Sequence, residues 1–246
     1  MKIGITEQGD AGLDYGWASR MGSVDGAILI TKCLSEKFIQ TVLPYKGKTI
    51  VHVTCTGYGG TILEPKVPIS SVQLGYAQKL KESGFPIQHI VIRVDPIIPT
   101  EKGLAVAESV FTEAYKLGFR RFRISLIDMY SHVRKRFRAA GIPTPYGEEV
   151  MPDKDSISRT NNMLKRLKAV MPDIRIETCA EPALTQAFYC GCVSEFDLEL
   201  LHLNWDEDEP AHYQRVGCLC IAPKTELLTI KRQCPNQCLY CYWANI

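Results

Sequence analysis

The chain has 246 residues, 46% hydrophobic and 23% charged, with a formal net charge of +2. That length suits one large α/β domain spanning residues 1–246, with a core that needs no disulfides. The near-neutral charge excludes a global nucleic-acid signature, and no apolar run approaches the ~20 residues that cross a bilayer, so no membrane association is expected.

In chain order, short β-branched runs at residues 2–6, 26–31, 49–54, 89–94, 121–127, 174–178 and 226–230 read as strands. Amphipathic patterns at residues 35–43, 70–81, 103–117, 130–140 and 156–170 read as helices. Ser70 is placed to cap one helix, and Gly118 and Gly141 follow two others. Buried strands alternating with crossover helices predict a partial or closed, TIM-barrel-like (β/α) barrel of six to seven parallel strands. Residues 139–155 read as a long proline-containing surface loop that could act as a lid, and the acidic turn at 206–209 as solvated.

Ten cysteines are many for such a chain. The start, Met1-Lys2-Ile3-Gly4-Ile5, lacks a signal-peptide pattern, so a cytoplasmic location is expected. There, clustered cysteines bind metal rather than pair. The C-terminal segment 218–246 is cysteine-rich and carries the most specific motif, Cys234-Pro-Asn-Gln-Cys238-Leu-Tyr240-Cys241. Three thiolates without a fourth in the same loop can hold three irons of a [4Fe–4S] cube and leave one iron open. Zinc usually takes four ligands from C-x2-C pairs, and ferredoxin runs supply a fourth cysteine. Tyr240 is an aromatic residue able to pack on an adenine ring.

The pattern C-x3-C-x-aromatic-C resembles the signature of the radical S-adenosylmethionine superfamily. The resemblance implies a [4Fe–4S] cluster on Cys234, Cys238 and Cys241, with S-adenosyl-L-methionine bound at the fourth iron. It further implies reductive cleavage to a 5′-deoxyadenosyl radical that takes hydrogen from a substrate, and a flavodoxin- or ferredoxin-type electron donor. In most of that superfamily the motif follows the first strand. Here it follows the last predicted strand, which implies a circularly permuted barrel whose C-terminal strand lies beside the N-terminal one.

The whole chain resembles a bacterial family with C-terminal cysteines. The matching segments are Thr56-Gly57-Tyr58-Gly59, Arg93-Val-Asp95-Pro96, Ser125-Leu-Ile-Asp128-Met-Tyr130, Glu177-Thr-Cys179-Ala-Glu181, Cys218-Leu-Cys220 and the terminal motif. Near its start the chain reads Thr6-Glu7-Gln8-Gly9-Asp10, where that family pattern has basic residues. The stretch through Glu64-Pro65 is loosely similar to spore photoproduct lyases.

A second constellation joins Cys190-Gly-Cys192 with Cys218-Leu-Cys220, and Cys179 stands as a further member. Two C-x-C pairs supply four soft ligands, for a second [4Fe–4S] cluster in preference to zinc, or else pack as free thiols. Cys33 and Cys55 lie on apolar runs and read as core.

Residues just past barrel strands face the substrate mouth. Thr56 and Gly57 follow a strand and are candidates to meet the cofactor, or form an ordinary βα turn. Arg93 is a candidate for the cofactor carboxylate, or else pairs internally with Asp95 or Glu177. Asp95, Glu177 and Cys179 are the catalytic candidates, Cys179 as a hydrogen-atom donor. Glu181, Ser125 and Asp128 complete the ring.

The runs at 120–123 and 134–138 are locally basic, so a phosphate-bearing or nucleobase substrate, or nucleic acid itself, is an alternative to another small molecule. His52, His89, His132, His202 and His212 show no metal spacing. A reading from another class is a non-catalytic iron–sulfur or zinc protein.

Overall fold

The β-branched runs form a sheet of eight strands, all parallel. They are β1 (Ile3–Ile5), β2 (Gly26–Thr31), β3 (Thr49–Thr54), β4 (Ile90–Ile97), β5 (Arg121–Leu126), β6 (Arg175–Cys179), β7 (Phe188–Cys190) and β8 (Lys224–Glu226). The computed structural model describes residues 1–204, 218–221 and 224–243. The spatial order is β7-β6-β5-β4-β3-β2-β1-β8, and the sheet curls into a half-barrel.

The count of eight corrects the expected six to seven. The additional strand, β7, is three residues long and, among the described residues, pairs only with β6. Too short for an alternation pattern, it carried no sequence signal. β8 lies at residues 224–226, ahead of the expected 226–230, because Leu227 and Leu228 already turn into the core. It pairs in parallel with β1, Ile3 opposite Lys224 and Ile5 opposite Glu226.

Seven α-helices are described: α1 (Gly16–Arg20), α2 (Glu36–Val42), α3 (Ser70–Glu82), α4 (Glu101–Lys116), α5 (Ser131–Ala139), α6 (Lys154–Val170) and α7 (Glu195–Leu200). Their starts follow from local chemistry. Ser35, Thr100 and Asp153 accept hydrogen bonds from Phe38 N, Gly103 N and Ser156 N. Ser70 instead lies inside α3, whose N-cap is Ile69 with no side-chain cap. The short α1 and α7 were not anticipated, although Ser194-x-x-Asp197 forms a capping box at the start of α7.

Strand alternation sorts the side chains into two layers. On the convex face Leu29, Val53, Ile92, Phe122 and Ile176 pack with Phe38, Leu80, Phe111 and Leu164 of the helices. On the concave face Ile3, Ile5 and Ile28 meet Val193 and Leu198, while Ile50 and Val91 meet Leu201. The turn of chain around α7 therefore plugs the half-barrel.

The plug carries buried charge. Arg121 and Arg123 of β5 are 5% and 3% exposed, and both pair with Glu177 and Asp197, each 0% exposed. The basic run at 120–123 is therefore not a phosphate patch, since its third arginine, Arg120, pairs with Asp173. The 139–155 segment is partly packed down: Tyr146 is 5% exposed, and Met129 N donates to Val150 O. The acidic turn at 206–209 and His212 lie outside the described residues. Among the described residues no helix is long and apolar enough to cross a membrane.

Candidate functional site

In a parallel sheet every strand ends on the same rim, and the loops after those ends meet there. The segment after β8 carries Cys234, Cys238 and Cys241. It is fastened to the loops after β1, β2 and β3. Arg232 N donates to Gln8 O at 2.6 Å, and Leu239 N to Leu63 O at 2.9 Å. The Asn236 amide donates to Asp10 Oδ2 at 2.9 Å, and the Cys33 thiol donates to Asn236 Oδ1 at 3.3 Å. Asp10 also accepts from the Thr31 hydroxyl and from the Gly12 and Lys32 backbone N–H groups. Cys33 is thus a half-buried rim residue beside the motif, not core, whereas Cys55 is core as expected.

The three motif thiols lie close enough to feel one another's charge. Burial, with Asp10 and Cys241 adding to it, pushes Cys234 up to about 11. Burial, with Glu64, Cys241 and Cys234 adding to it, pushes Cys238 up to about 12 against the opposing pull of Lys32. Such thiols are poorly disposed to ionise alone. A cationic metal core would supply the missing countercharge, and soft thiolates suit iron–sulfur chemistry, so the donor set fits a cluster. Among the described residues no three His, Cys, Asp or Glu side chains form the shell of a single ion.

Tyr240 is 8% exposed and packs with Tyr58, Leu63, Ile127 and Met129. Its hydroxyl donates to Glu64 Oε1. Lys32 Nζ lies 2.7 Å from the same oxygen and 2.9 Å from the Tyr240 hydroxyl, and Thr56 Oγ1 donates to Glu64 Oε2 at 2.7 Å. Burial would push Glu64 up, but Lys32 and these hydrogen bonds hold it below the usual carboxylate range. Lys32, Asp10 and Asn236 were missed by sequence reasoning. Lys32 stands one residue past a clearly patterned strand, and the strand-end rule could have found it.

The other candidates divide. Gly57 has φ +87°, and a Cβ there would lie 2.2 Å from Val106 Cγ1, so this glycine serves the turn against α4. Arg93 pairs with Asp95, which also accepts from Ser125 Oγ; their side chains are 22% and 15% exposed. This internal pair was one of the two alternatives to a cofactor contact. The other, with Glu177, does not form, because Glu177 accepts from Arg121, Arg123 and Arg175 deep in the plug. Its burial removes Glu177 from any substrate-contacting role. Glu181 accepts from Leu126 N at 2.6 Å.

Of the second constellation, Cys179 Sγ lies 3.6 Å from Cys192 Sγ, and Cys218 Sγ lies 3.2 Å from Cys220 Sγ. Cys192 N donates to Cys220 Sγ at 3.2 Å. Hydrogen bonds with Cys179 and Cys220 hold the Cys192 thiol well below its ordinary value. Cys190 stands among other company. Burial pushes it up to about 11, and the charges around it are Arg123, Glu177, Asp197 and Arg121.

Fold and site together define a parallel half-barrel α/β protein with a cysteine tripod on the C-terminal rim of its sheet. Residues 18–243 match a family described as a domain of unknown function (DUF1848), and the chain belongs to that family. No curated protein matches the sequence.

Proposed function

We infer that this protein is a radical S-adenosylmethionine enzyme built on a circularly permuted half-barrel. The observation that carries the reading is the parallel pairing of β8 with β1. It puts the C-x3-C-x-aromatic-C loop after a strand neighbouring the N-terminal one, at the rim where the loops after β1 to β3 converge. Cys234, Cys238 and Cys241 would hold a [4Fe–4S] cluster. When bound, that cluster supplies an electron to cleave S-adenosyl-L-methionine into methionine and a 5′-deoxyadenosyl radical.

The chain's own residues position and shield. Asp10 and Asn236 fix the loop between the first two cysteines. Glu64, with Lys32 and Thr56, fixes Tyr240 just before the third. Tyr58, Leu63, Ile98 and Met129 pack around Cys238 and Tyr240 and exclude water from one side of the tripod. Arg93, Asp95 and Ser125 form the polar rim group facing the mouth, where a substrate would meet the chain.

The test is anaerobic. The protein is reconstituted with iron and sulfide, reduced with dithionite and mixed with S-adenosyl-L-methionine. Production of 5′-deoxyadenosine, lost in Cys238→Ala, is the expected result. A folded, iron-loaded protein that makes none overturns the reading.

A nucleobase substrate is a second reading. Tyr130 and Tyr242 are exposed with ring centroids 6.2 Å apart, Tyr242 lies 5.0 Å from Trp243, and Arg232 sits 4.5 Å over the Trp243 ring. Cation-flanked aromatic rings suit stacking on bases. Salt-dependent binding of a single-stranded oligonucleotide, weakened in Tyr242→Ala, is its test.

A further inference from the structure

The two edges of the curled sheet, β7 and β8, do not pair with each other. The gap is bridged by the residues just after β7 and just before β8. A Cβ on Gly191 would lie 2.5 Å from both the N and the Cα of Cys220 and from the carbonyl carbon of Leu219, so backbone touches backbone at this seam. Arg123 Nη1 donates to the carbonyls of Gly191 and Cys192 at 3.1 and 2.9 Å and holds one side of the seam.

Four thiols collect there from three separate stretches of chain. They are neighbours in the order Cys179, Cys192, Cys220, Cys218, with contacts of 3.6 Å between the first two sulfurs and 3.2 Å between the last two. Cys220 Sγ in the middle accepts the Cys192 backbone N–H. Cys190, although paired in register with Cys179, makes no sulfur–sulfur contact with these four among the described residues, and the charges of Arg123, Glu177, Asp197 and Arg121 act on it.

We propose that Cys179, Cys192, Cys218 and Cys220 form a second metal site, taking a single tetrahedral ion of the zinc type, that staples the β7 edge to the β8 edge. Spacing distinguishes this from a second iron–sulfur cube. A tetrahedral thiolate shell with bonds of about 2.3 Å has sulfur–sulfur edges of about 3.8 Å. The two contacts here, 3.6 and 3.2 Å, are a little shorter than such an edge, as thiols in hydrogen-bond contact are, and far nearer to it than the wide spacing of thiolates on four different irons. Four thiolates around one soft-to-borderline cation favour zinc. The sulfurs do not yet surround one point, and rotation of the two outer side chains, Cys179 and Cys218, is the movement that closes the shell. Binding expels the thiol protons, so affinity rises with pH.

The site stands apart from the tripod, and the experiment keeps the two separate. The full-length triple variant Cys234→Ser/Cys238→Ser/Cys241→Ser is purified anaerobically, and its zinc, iron and sulfide are counted. The expected result is about one zinc and no sulfide per chain. Cobalt(II) exchanged into the same chain should give tetrahedral ligand-field bands with intense thiolate charge transfer. Adding Cys192→Ser or Cys220→Ser should abolish the bands, and adding Cys190→Ser should leave them. Because the serine variants can also fail by misfolding, rapid alkylation is measured on the zinc-loaded triple variant itself. Protection of the four thiols is expected. A folded chain that takes neither zinc nor cobalt, that holds about four irons with sulfide, or whose four thiols alkylate freely with zinc present overturns the proposal.

Discussion

The Tyr240 hydroxyl donates to Glu64 Oε1, and so ties the residue before the last motif cysteine to the loop after β3. Glu64 is 1% exposed and serves Lys32, Thr56 and Tyr240 together. The carboxylate is the hub: without it, an ammonium and two hydroxyls lose their shared partner.

Tyr240→Phe should therefore cost about 2 kcal/mol, the worth of a hydrogen bond to a charged group. Glu64→Ala should cost more, about 3–5 kcal/mol, because it strands the Lys32 ammonium in a largely buried site. Urea denaturation under reducing conditions reads both. Equal, small losses would mean that Lys32 and Tyr240 do not depend on one carboxylate.

Much of this fold was legible. The runs at 26–31 and 49–54 coincide with β2 and β3, because both faces of a central parallel strand are buried and the runs are rich in Ile, Leu and Val. The adjacency of the last strand to the first followed from the position of the cysteine motif taken with the superfamily resemblance, in which that motif follows the first strand. What escaped was non-local. β7 is too short for periodicity, and nothing in Glu177 or Asp197 distinguishes a rim carboxylate from one buried among arginines more than fifty residues away. The same limit applies to the second cysteine group: spacing put Cys190 with Cys192, whereas the sulfur contacts found are those of Cys179 with Cys192 and of Cys218 with Cys220.

Asp197 offers an acid-stability test. Burial alone would raise its carboxyl, yet Arg121 and Arg123 hold it far below the usual range, and Glu177 is likewise lowered by Arg123 and Arg121. A depressed folded-state value means that the unfolded chain binds protons first as pH falls. The stabilisation is complete above the unfolded carboxyl values near 4 and drains away below them. Asp197→Asn should be destabilised by about 3 kcal/mol at pH 7, since two arginines lose a buried counter-ion. Its further loss between pH 5 and pH 2 should be shallower than that of the unaltered chain. Parallel pH profiles would remove Asp197 from the acid response.

Gly57→Ala tests whether the turn after β3 is set by packing. The added methyl meets Val106 Cγ1 at 2.2 Å, and the backbone there has φ +87°. The variant should lose about 1–3 kcal/mol from overpacking and left-handed strain. Pairing it with Val106→Ala should recover the overpacking part and leave the backbone part, read as a partial rescue in a double-mutant cycle. A complete rescue would mean that the turn tolerates a side chain.

Gly191→Ala probes the seam without touching a thiol. Its methyl would press on the backbone of Leu219 and Cys220, at 2.5 Å, and backbone cannot swing aside as a side-chain tip can. The expected response is separation of the 190–192 and 218–221 segments. Cys192 and Cys220 should then alkylate faster, and cobalt(II) should bind at least tenfold more weakly. Cys234, Cys238 and Cys241 are held by Asp10, Glu64 and Gln8, on the other side of β8, and should keep their reactivity. Loss of protection at all seven cysteines together would mean that the seam and the tripod open as one unit, with β8 carrying the disturbance between them. Loss confined to the seam would mean that the staple acts locally, leaving the β8–β1 pairing to hold the tripod in place.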